Sequence, residues 1–538
     1  MQKSDSDAPP KRRKVDDEDA VFRGLLPHQR EGVRWMLDVE RQRDRNQDTA
    51  DVDDKPSFGG VLADDMGLGK TYQASALVRC MPRHTLIVTK PSIVGQWRDV
   101  LFEVTGTRPW ILIRGTTCDV PIDSSDGSKT IAITSYNSLA CHGDRPCCHP
   151  GCIFKKLWER VVLDEAHYVR NKKTAAFKAV TRFRSAAYRW ALTGTPINNG
   201  RRDLAALAKW LHVPLLDPEV ADRLILRRTM AEIQQQRHSR TDTKEGEVSY
   251  DAPPPPGLKT TIVRLPSFEY EHEKELYALL QKMHDTHATE RERHGNTRST
   301  SLMETILRMR QACTHPLIYV RGVRQKASSD LVEGGGGKNK ASLFSRAVVA
   351  SSEEEEAAAV RVVMTCNEFR RSTKTDYVAR RVRTFCEEGP SVKVLVFCEW
   401  IQEIGILSHM ISRELRDMAG TVVMFTGRLN AMEKAHNVQI FERDPQARVM
   451  LVQIRTGGTG LNLQVASKVI ITSPAWNPCN DLQALCRSYR QGQAVEVACE
   501  RILISGTIEE KCLEMQRRKM DDLDELFEED TFAHRMGW

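Results

Sequence analysis

Short β-branched runs separated by helix-like stretches recur along this chain, and that alternation restricts the fold more than any other feature. In the first half the runs are HTLIV at 84–88, TIAIT at 130–134, RVVLD at 160–164 and YRWALT at 188–193. Each is too short for a helix and apolar on successive positions, as strands buried on both faces must be. Strands alternating with helices predict a parallel α/β sheet. After Asp376 the pattern returns at 393–398, 421–425, 447–453, 468–472 and 500–504, which predicts a second α/β lobe.

Between these stretches the alternation stops. A polar run, Gln234 to Glu247, and four prolines at 253–256 come first. EYEHEKELYALLQKM and SLMETILRMRQAC then read as amphipathic helices, followed by a Gly run at 334–337 and an acidic run, Glu353 to Glu356, that mark a flexible segment. The expected organisation is a disordered tail over 1–20, a first lobe over 21–231, a linker and helical insert over 232–325 and a flexible linker over 326–371. A second lobe over 372–516 and an acidic C-terminal tail over 517–538 complete it, with a helix from roughly 508 to 529.

Composition narrows the class. With 538 residues, 40% of them hydrophobic, the chain has ample material for two to four buried cores. No run of about 18 apolar residues occurs, so no membrane partner is expected. The opening MQKSDSDAPPKRRKV has no apolar stretch behind its charges, so no secretory leader is expected. Fourteen cysteines in such a chain read as reduced thiols of a cytosolic or nuclear protein. The net charge of +7 permits a polyanion partner where the positive charge is concentrated. The basic block Lys11 to Lys14 reads either as a nuclear-import signal or as a solvated charged tail.

Two short constellations carry chemistry. After Val61–Leu62 comes ADDMGLGKTYQASAL, a loop opening a helix. Gly67 and Gly69 let backbone N–H groups close around phosphate oxygens, Lys70 reaches the β/γ-phosphates, and the Thr71 hydroxyl suits Mg²⁺. The general phosphate-loop pattern has Gly where this chain has Asp64, so a plain Gly-rich turn is the competing reading. The second constellation is RVVLDEAHYVRN. Asp164 at a strand tip suits Mg²⁺ binding, and Glu165 suits orienting and deprotonating a water, while helix-capping acids are the alternative. An acid pair about one hundred residues after a phosphate loop favours a nucleotide-hydrolysing sheet.

From Val21 to about Gln516 the ordered motifs resemble those of the Swi/Snf-type ATPases of helicase superfamily two. GLLPHQREGVRWM resembles the opening motif of that family, DDMGLGKT its phosphate loop, LIVTKPSIVGQW motif Ia, DEAHYVRN motif II and ALTGTPINN motif III. LRRT at 226–229 and LRMRQACTHP match segments peculiar to the family, and VLVFCEW resembles motif IV. VQIRTGGTGLNLQVASKVIITSPAWNP resembles motif V and LQALCRSYRQGQ motif VI. The resemblance implies two RecA-like lobes. It implies that Gln29 contacts adenine, that Asp64 and Gln483 belong to the nucleotide site, and that Arg487 and Arg490, expected on one helical face, supply guanidinium groups to the γ-phosphate. It also implies DNA contacts from Lys90, Arg455, Thr456 and Trp476, with a structural role the other reading for Lys90 and Trp476, and coupling of hydrolysis to movement by Thr193 and Thr195. The chain departs from the family pattern at Asp65, where Glu is usual, and at Cys486 and Tyr489, where Asp and His are usual.

The segment CHGDRPCCHPGC brings together Cys141, His142, Cys147, Cys148, His149 and Cys152, enough side chains for one zinc, although it contains no C-x-x-C knuckle. Free thiols in a connecting loop are the other reading. Members of the family that repair stalled replication carry a RING finger between their lobes. Here Leu317 to Asp376 holds a single cysteine, Cys366, so none is expected, and the motifs otherwise sit nearest the subgroup with transcription termination factor two and those RING-bearing translocases. The resemblance therefore implies a nuclear, ATP- and Mg²⁺-dependent translocase on double-stranded DNA that remodels or displaces bound complexes such as nucleosomes or polymerase. A strand-separating helicase and a catalytically silent DNA-binding scaffold are the rival readings.

Overall fold

The computed structural model describes residues 20–46, 58–113, 129–141, 151–183, 185–194, 201–213, 223–230, 232–233, 257–294, 299–323, 371–418, 420–457, 463–490, 493 and 495–527. The chain divides into two compact units, residues 1–255 with 490–492, and residues 256–489 with 493–538. Each contains one parallel sheet.

The sheet of the first unit contains β1 (Phe58–Leu62), β2 (Thr85–Thr89), β3 (Trp110–Leu112), β4 (Ile131–Ser135), β5 (Arg160–Asp164), β6 (Tyr188–Leu192) and β7 (Ile225–Leu226). Their order is β3-β4-β2-β5-β6-β1-β7, with every adjoining pair parallel. All five residues are buried in each of β2, β4, β5 and β6, the double-sided burial that their unbroken apolar runs predict. The short strands β3 and β7 carry only brief apolar stretches, WILI at 110–113 and LIL at 224–226, and were not among the expected strands.

The helix Pro27–Asn46 is pinned to this sheet by a buried acid. Glu40 accepts from Arg160 (2.7 and 2.5 Å) and from the Trp190 indole (3.0 Å), so neither charge is left unpaired. Gly59 and Gly60 of β1 allow close approach on both sides. A Cβ at Gly59 would lie 1.7 Å from the Arg189 carbonyl, and one at Gly60 would lie 3.0 Å from the Trp35 ring. The start of this helix is thereby brought against the loop that follows β1.

The second sheet contains β8 (Leu258–Leu265), β9 (Val394–Cys398), β10 (Thr421–Phe425), β11 (Ala447–Gln453), β12 (Lys468–Ile471) and β13 (Val497–Ile504), ordered β10-β11-β9-β12-β13-β8 and again parallel. Strand β8 falls in the stretch expected to be linker and helical insert, and it pairs with β13 along its whole length. The helices Glu271–His294 and Ser299–Thr314 share this unit's core, where Leu276, Leu280 and Met309 are buried with Val396, Leu451 and Ile504. Polar ties reinforce the packing. Arg310 donates to the Pro474 carbonyl (3.0 Å), the Ile508 amide donates to the Tyr277 hydroxyl (2.7 Å), and the buried Lys374 meets Glu509 at 2.5 Å. The C-terminal helix, Ile508–Phe527, runs across the expected start of an acidic tail, with Gln516 and Met520 buried. Among the described residues no helix is long and apolar enough to cross a membrane.

Candidate functional site

Parallel strands present their C-terminal ends on one edge of a sheet, where loops and helix N-termini gather. Leu62 of β1 and Asp164 of β5 both pair with Leu192 of the intervening β6, so they stand level and two strand spacings apart, about 10 Å. The glycine loop leaves from the first and the acid pair from the second. The spacing along the chain suggested their cooperation, and the register places both on the same edge.

The loop needs its glycines. Gly67 and Gly69 have φ of 92° and 79°, left-handed values that cost a side-chain-bearing residue strain. Gly69 precedes the helix Lys70–Cys80, whose start has no side-chain cap among the described residues, so the first N–H groups and the helix dipole face the loop. Thr71 is the second residue of that helix, and Lys70 Nζ donates to the carbonyls of Asp64 (2.5 Å) and Asp65 (3.0 Å). The Gln29 amide bridges the Leu26 N–H (3.1 Å) and the Leu68 carbonyl (3.2 Å). A Cβ at Gly69 would come within 2.3 Å of Gln29 Nε2, so Gln29 is packed directly on the loop.

Asp64, the departure from the general loop pattern, is fully buried. Arg228 binds it bidentately (Nε to Oδ1 2.9 Å, Nη2 to Oδ2 2.5 Å), and Gln73 donates to the same carboxylate (2.9 Å). Arg228 also donates to the His28 carbonyl and to Gln73 Oε1 (3.1 Å). The LRRT segment thus acts as a clamp on the loop, a structural role that the sequence reading did not assign. Asp65 continues the tie, its carboxylate accepting from the Met230 amide (2.9 Å) and its own amide donating to the Arg228 carbonyl (2.9 Å).

The acid pair is held by residues of motif Ia. Asp164 Oδ2 accepts from the Thr89 hydroxyl (2.8 Å) and the Trp97 indole (2.7 Å), and Oδ1 accepts from the Glu165 amide (3.0 Å). Burial, helped by the neighbouring Glu165 charge, pushes the Asp164 carboxyl up to about 6, while those donors and Lys70 pull the other way. Glu165 adopts φ 52°, ψ 49°, a left-handed conformation that costs about 1–3 kcal/mol in a residue with a Cβ. Its Oε2 lies 3.3 Å from His167 Nδ1 and its Oε1 lies 4.0 Å from Lys90 Nζ. Burial lowers the His167 imidazole to about 4, so at neutral pH that contact is between a neutral ring and a carboxylate and is not an ion pair. Thr89 and Trp97 were missed individually, although their motif had been singled out. Lys90 is 6% exposed and packs over the Tyr168 ring, a placement within the acid cluster.

In the second unit the motif VI helix ends earlier than its spacing suggested. It spans Pro478–Leu485, capped by the Asn477 side chain, and buries Gln483. Arg487 and Arg490 lie in the turns that follow, so the expectation of one shared helical face is corrected. The cause is local. Ser488 donates to the Ala466 carbonyl, and Gln493 Nε2 donates to the carbonyls of Gln464 (2.9 Å), Ala466 (3.2 Å) and Ser488 (3.2 Å). These bonds, with Leu463 N–H to the Arg487 carbonyl (3.0 Å), draw the chain out of the helix and staple motif VI to the segment after motif V. Arg455 and Thr456 lie in the short helix Ile454–Gly457, where the Thr456 hydroxyl donates to Gln453 Oε1 (3.1 Å). Trp476 is half-buried, with its carbonyl 3.5 Å from Lys519 Nζ.

Thr193, of motif III, is buried with its amide on the Leu62 carbonyl (3.1 Å), and Thr195 lies outside the described residues. Of the cysteine-rich segment only Cys141 and Cys152 fall within them, the former exposed and the latter buried. His142, Cys147, Cys148 and His149, on which the zinc expectation depends, lie outside. Among the described residues no group of three or more His, Cys, Asp or Glu stands ready for a metal ion.

Residues 28–318 match the model of the SNF2-related domain, and residues 374–492 match that of the helicase conserved C-terminal domain. The chain is 25% identical to an uncharacterized ATP-dependent helicase of Schizosaccharomyces pombe over 93% of its own length and 60% of that protein's. It is 26% identical to a probable global transactivator of Orgyia pseudotsugata multicapsid polyhedrosis virus, over 94% of its length and 91% of the viral protein's. Among solved structures, the SWI2/SNF2 ATPase core of Sulfolobus solfataricus in complex with dsDNA is 23% identical, with 95% and 96% of the two chains covered and a TM-score of 0.34.

Proposed function

This chain belongs to the SNF2-related family; we propose that it is a DNA-dependent ATPase that turns hydrolysis into movement along duplex DNA, and so remodels or displaces protein complexes bound there. The observation that carries the chemistry is the shared sheet edge, which brings the Lys70 loop level with Asp164 and Glu165. Left-handed glycines and a helix start without a side-chain cap suit a triphosphate, and Lys70 at that helix start is proposed to bind its β/γ-phosphates. The Thr71 hydroxyl and the Asp164 carboxylate are hard oxygen donors that fit Mg²⁺, which when bound supplies charge neutralisation on the phosphates. Glu165 orients the attacking water and accepts its proton. Gln29, packed on the loop, is proposed to recognise the base, with Asp64 fixing the loop's shape through Arg228. Gln483, Arg487 and Arg490 are proposed to act on the same nucleotide, the guanidinium groups answering charge that spreads over the transferring phosphoryl.

Arg455, Thr456 and Trp476 are proposed as DNA contacts. Contacts of this kind go mostly to phosphates, so binding should be indifferent to sequence and should weaken steeply with salt. The basic block Lys11 to Lys14 supports a nuclear location.

Phosphate release with and without duplex DNA tests this reading. Wild type should be stimulated by DNA. Lys70→Ala should lose turnover, and Glu165→Gln should retain ATP binding while slowing by about 10²–10⁴. A rate that ignores both DNA and these substitutions would overturn it. Displacement of a third strand from a triplex, without opening of a plain duplex, separates translocation from strand separation.

A further inference from the structure

Strands β2 and β5 run parallel with Val88 paired to Leu163. One step further along each strand, Thr89 meets Asp164, its hydroxyl 2.8 Å from Oδ2. The next step brings Lys90 to Glu165, Nζ 4.0 Å from Oε1. Two consecutive residues of motif Ia therefore address the two consecutive acids of motif II one to one.

We propose that Lys90 is a positioning residue for Glu165, holding the carboxylate that orients the attacking water. This rests on the reading of Glu165 given above. The Lys90 side chain is 7% exposed, and its ammonium sits 4.9 Å from the centroid of the Tyr168 ring, a cation–π contact that restrains the head group. His167 approaches the other carboxylate oxygen at 3.3 Å. The left-handed backbone at Glu165 swings its side chain into this bracket. The carboxylate is thus flanked on both oxygens by groups of neighbouring elements, an ammonium from the end of β2 and an imidazole from the turn after β5. To reach a DNA phosphate, Lys90 would have to leave both Glu165 and Tyr168.

The experiment uses the full chain as wild type, Lys90→Met, Lys90→Arg, Glu165→Gln and the Lys90→Met/Glu165→Gln double variant. Three quantities are measured: single-turnover hydrolysis with and without duplex DNA, affinity for a fluorescent ATP analogue, and DNA affinity across a salt series. Lys90→Met should slow hydrolysis by about ten- to a hundredfold in both conditions, the scale expected of a misplaced reacting group. Its ATP affinity should stay within about twofold of wild type, and the slope of DNA affinity against salt should not change, since no phosphate contact is lost. Lys90→Arg should recover most of the rate, because it returns a cation to the same place. The double variant should be no slower than Glu165→Gln alone, because residues acting through one group are not additive.

Three results would overturn the assignment. One is a Lys90→Met protein that hydrolyses at the wild-type rate. Another is a salt slope reduced by about one with the DNA-free rate intact, the behaviour of a phosphate contact. The third is a Lys90→Met effect that is as large in the Glu165→Gln background as in wild type. An inactive wild type would instead overturn the reading of the site on which the assignment rests, so the two failures are distinguishable.

Discussion

Replacing Arg228 by methionine removes the partner of a carboxylate that has no access to solvent. Asp64 is 0% exposed and takes two guanidinium hydrogen bonds, at 2.9 and 2.5 Å. With charge centres roughly 4 Å apart and an effective dielectric of about 20, the lost attraction is about 4 kcal/mol. Breaking a buried pair by deleting one member costs about 3–5 kcal/mol, so the two routes agree. The Gln73 donor, at 2.9 Å, stays in place and keeps the loss toward the lower end. Urea unfolding followed by tryptophan fluorescence suits the measurement, because six of the nine tryptophans lie before residue 256. Arg228→Met should lower the midpoint of that transition by an amount equivalent to about 3 kcal/mol. Adding Asp64→Asn removes the stranded charge, and the double variant should regain at least about 2 kcal/mol of it. A loss under about 0.5 kcal/mol, or a double variant no more stable than Arg228→Met, would show that Asp64 is not held by this pair.

Two further outcomes follow from buried polar groups in the second unit. Burial pushes the Glu403 carboxyl up to about 7 from an ordinary 4.5. The folded state therefore holds a proton that the unfolded chain has released, so stability is full below pH 4.5 and falls as pH rises through 7, by about 3 kcal/mol at most. Urea midpoints at pH 5 and pH 8 should differ by less in Glu403→Gln than in wild type, and an unchanged difference would count against the assignment. Gln493→Ala removes the donor to the carbonyls of Gln464, Ala466 and Ser488, and should cost about 1–3 kcal/mol. Hydrogen exchange should then quicken at the Leu463 and Ala466 amides, and unchanged protection there would mean that the staple is not needed.

What could be read along the chain was contiguous or periodic. The central strands announced themselves because a strand buried on both faces must be apolar at every position, as β5 and β9 are. The glycine loop and the acid pair were legible because phosphate binding needs particular residue types within a few positions. Strand β8 was not, because it lies at a sheet edge and alternates half-buried with exposed residues, with polar Lys259, Thr260 and Thr261 near its start. The helical register of Arg487 and Arg490 was misjudged, since the bonds that end their helix come from Gln493 and from the 463–466 segment, outside the helix itself.

Pairings across long stretches of chain decided the rest. Nothing near Asp64 marks it as the seat of an arginine 164 positions away, and nothing around Lys90 tells a buried ammonium from a solvated one. Spacing reports only neighbours within a turn or a strand, whereas burial and charge partnership depend on which strands lie side by side. Once β2 lies against β5, Lys90 can stand beside Glu165, and the free energy of burying that charge depends on the company it finds there.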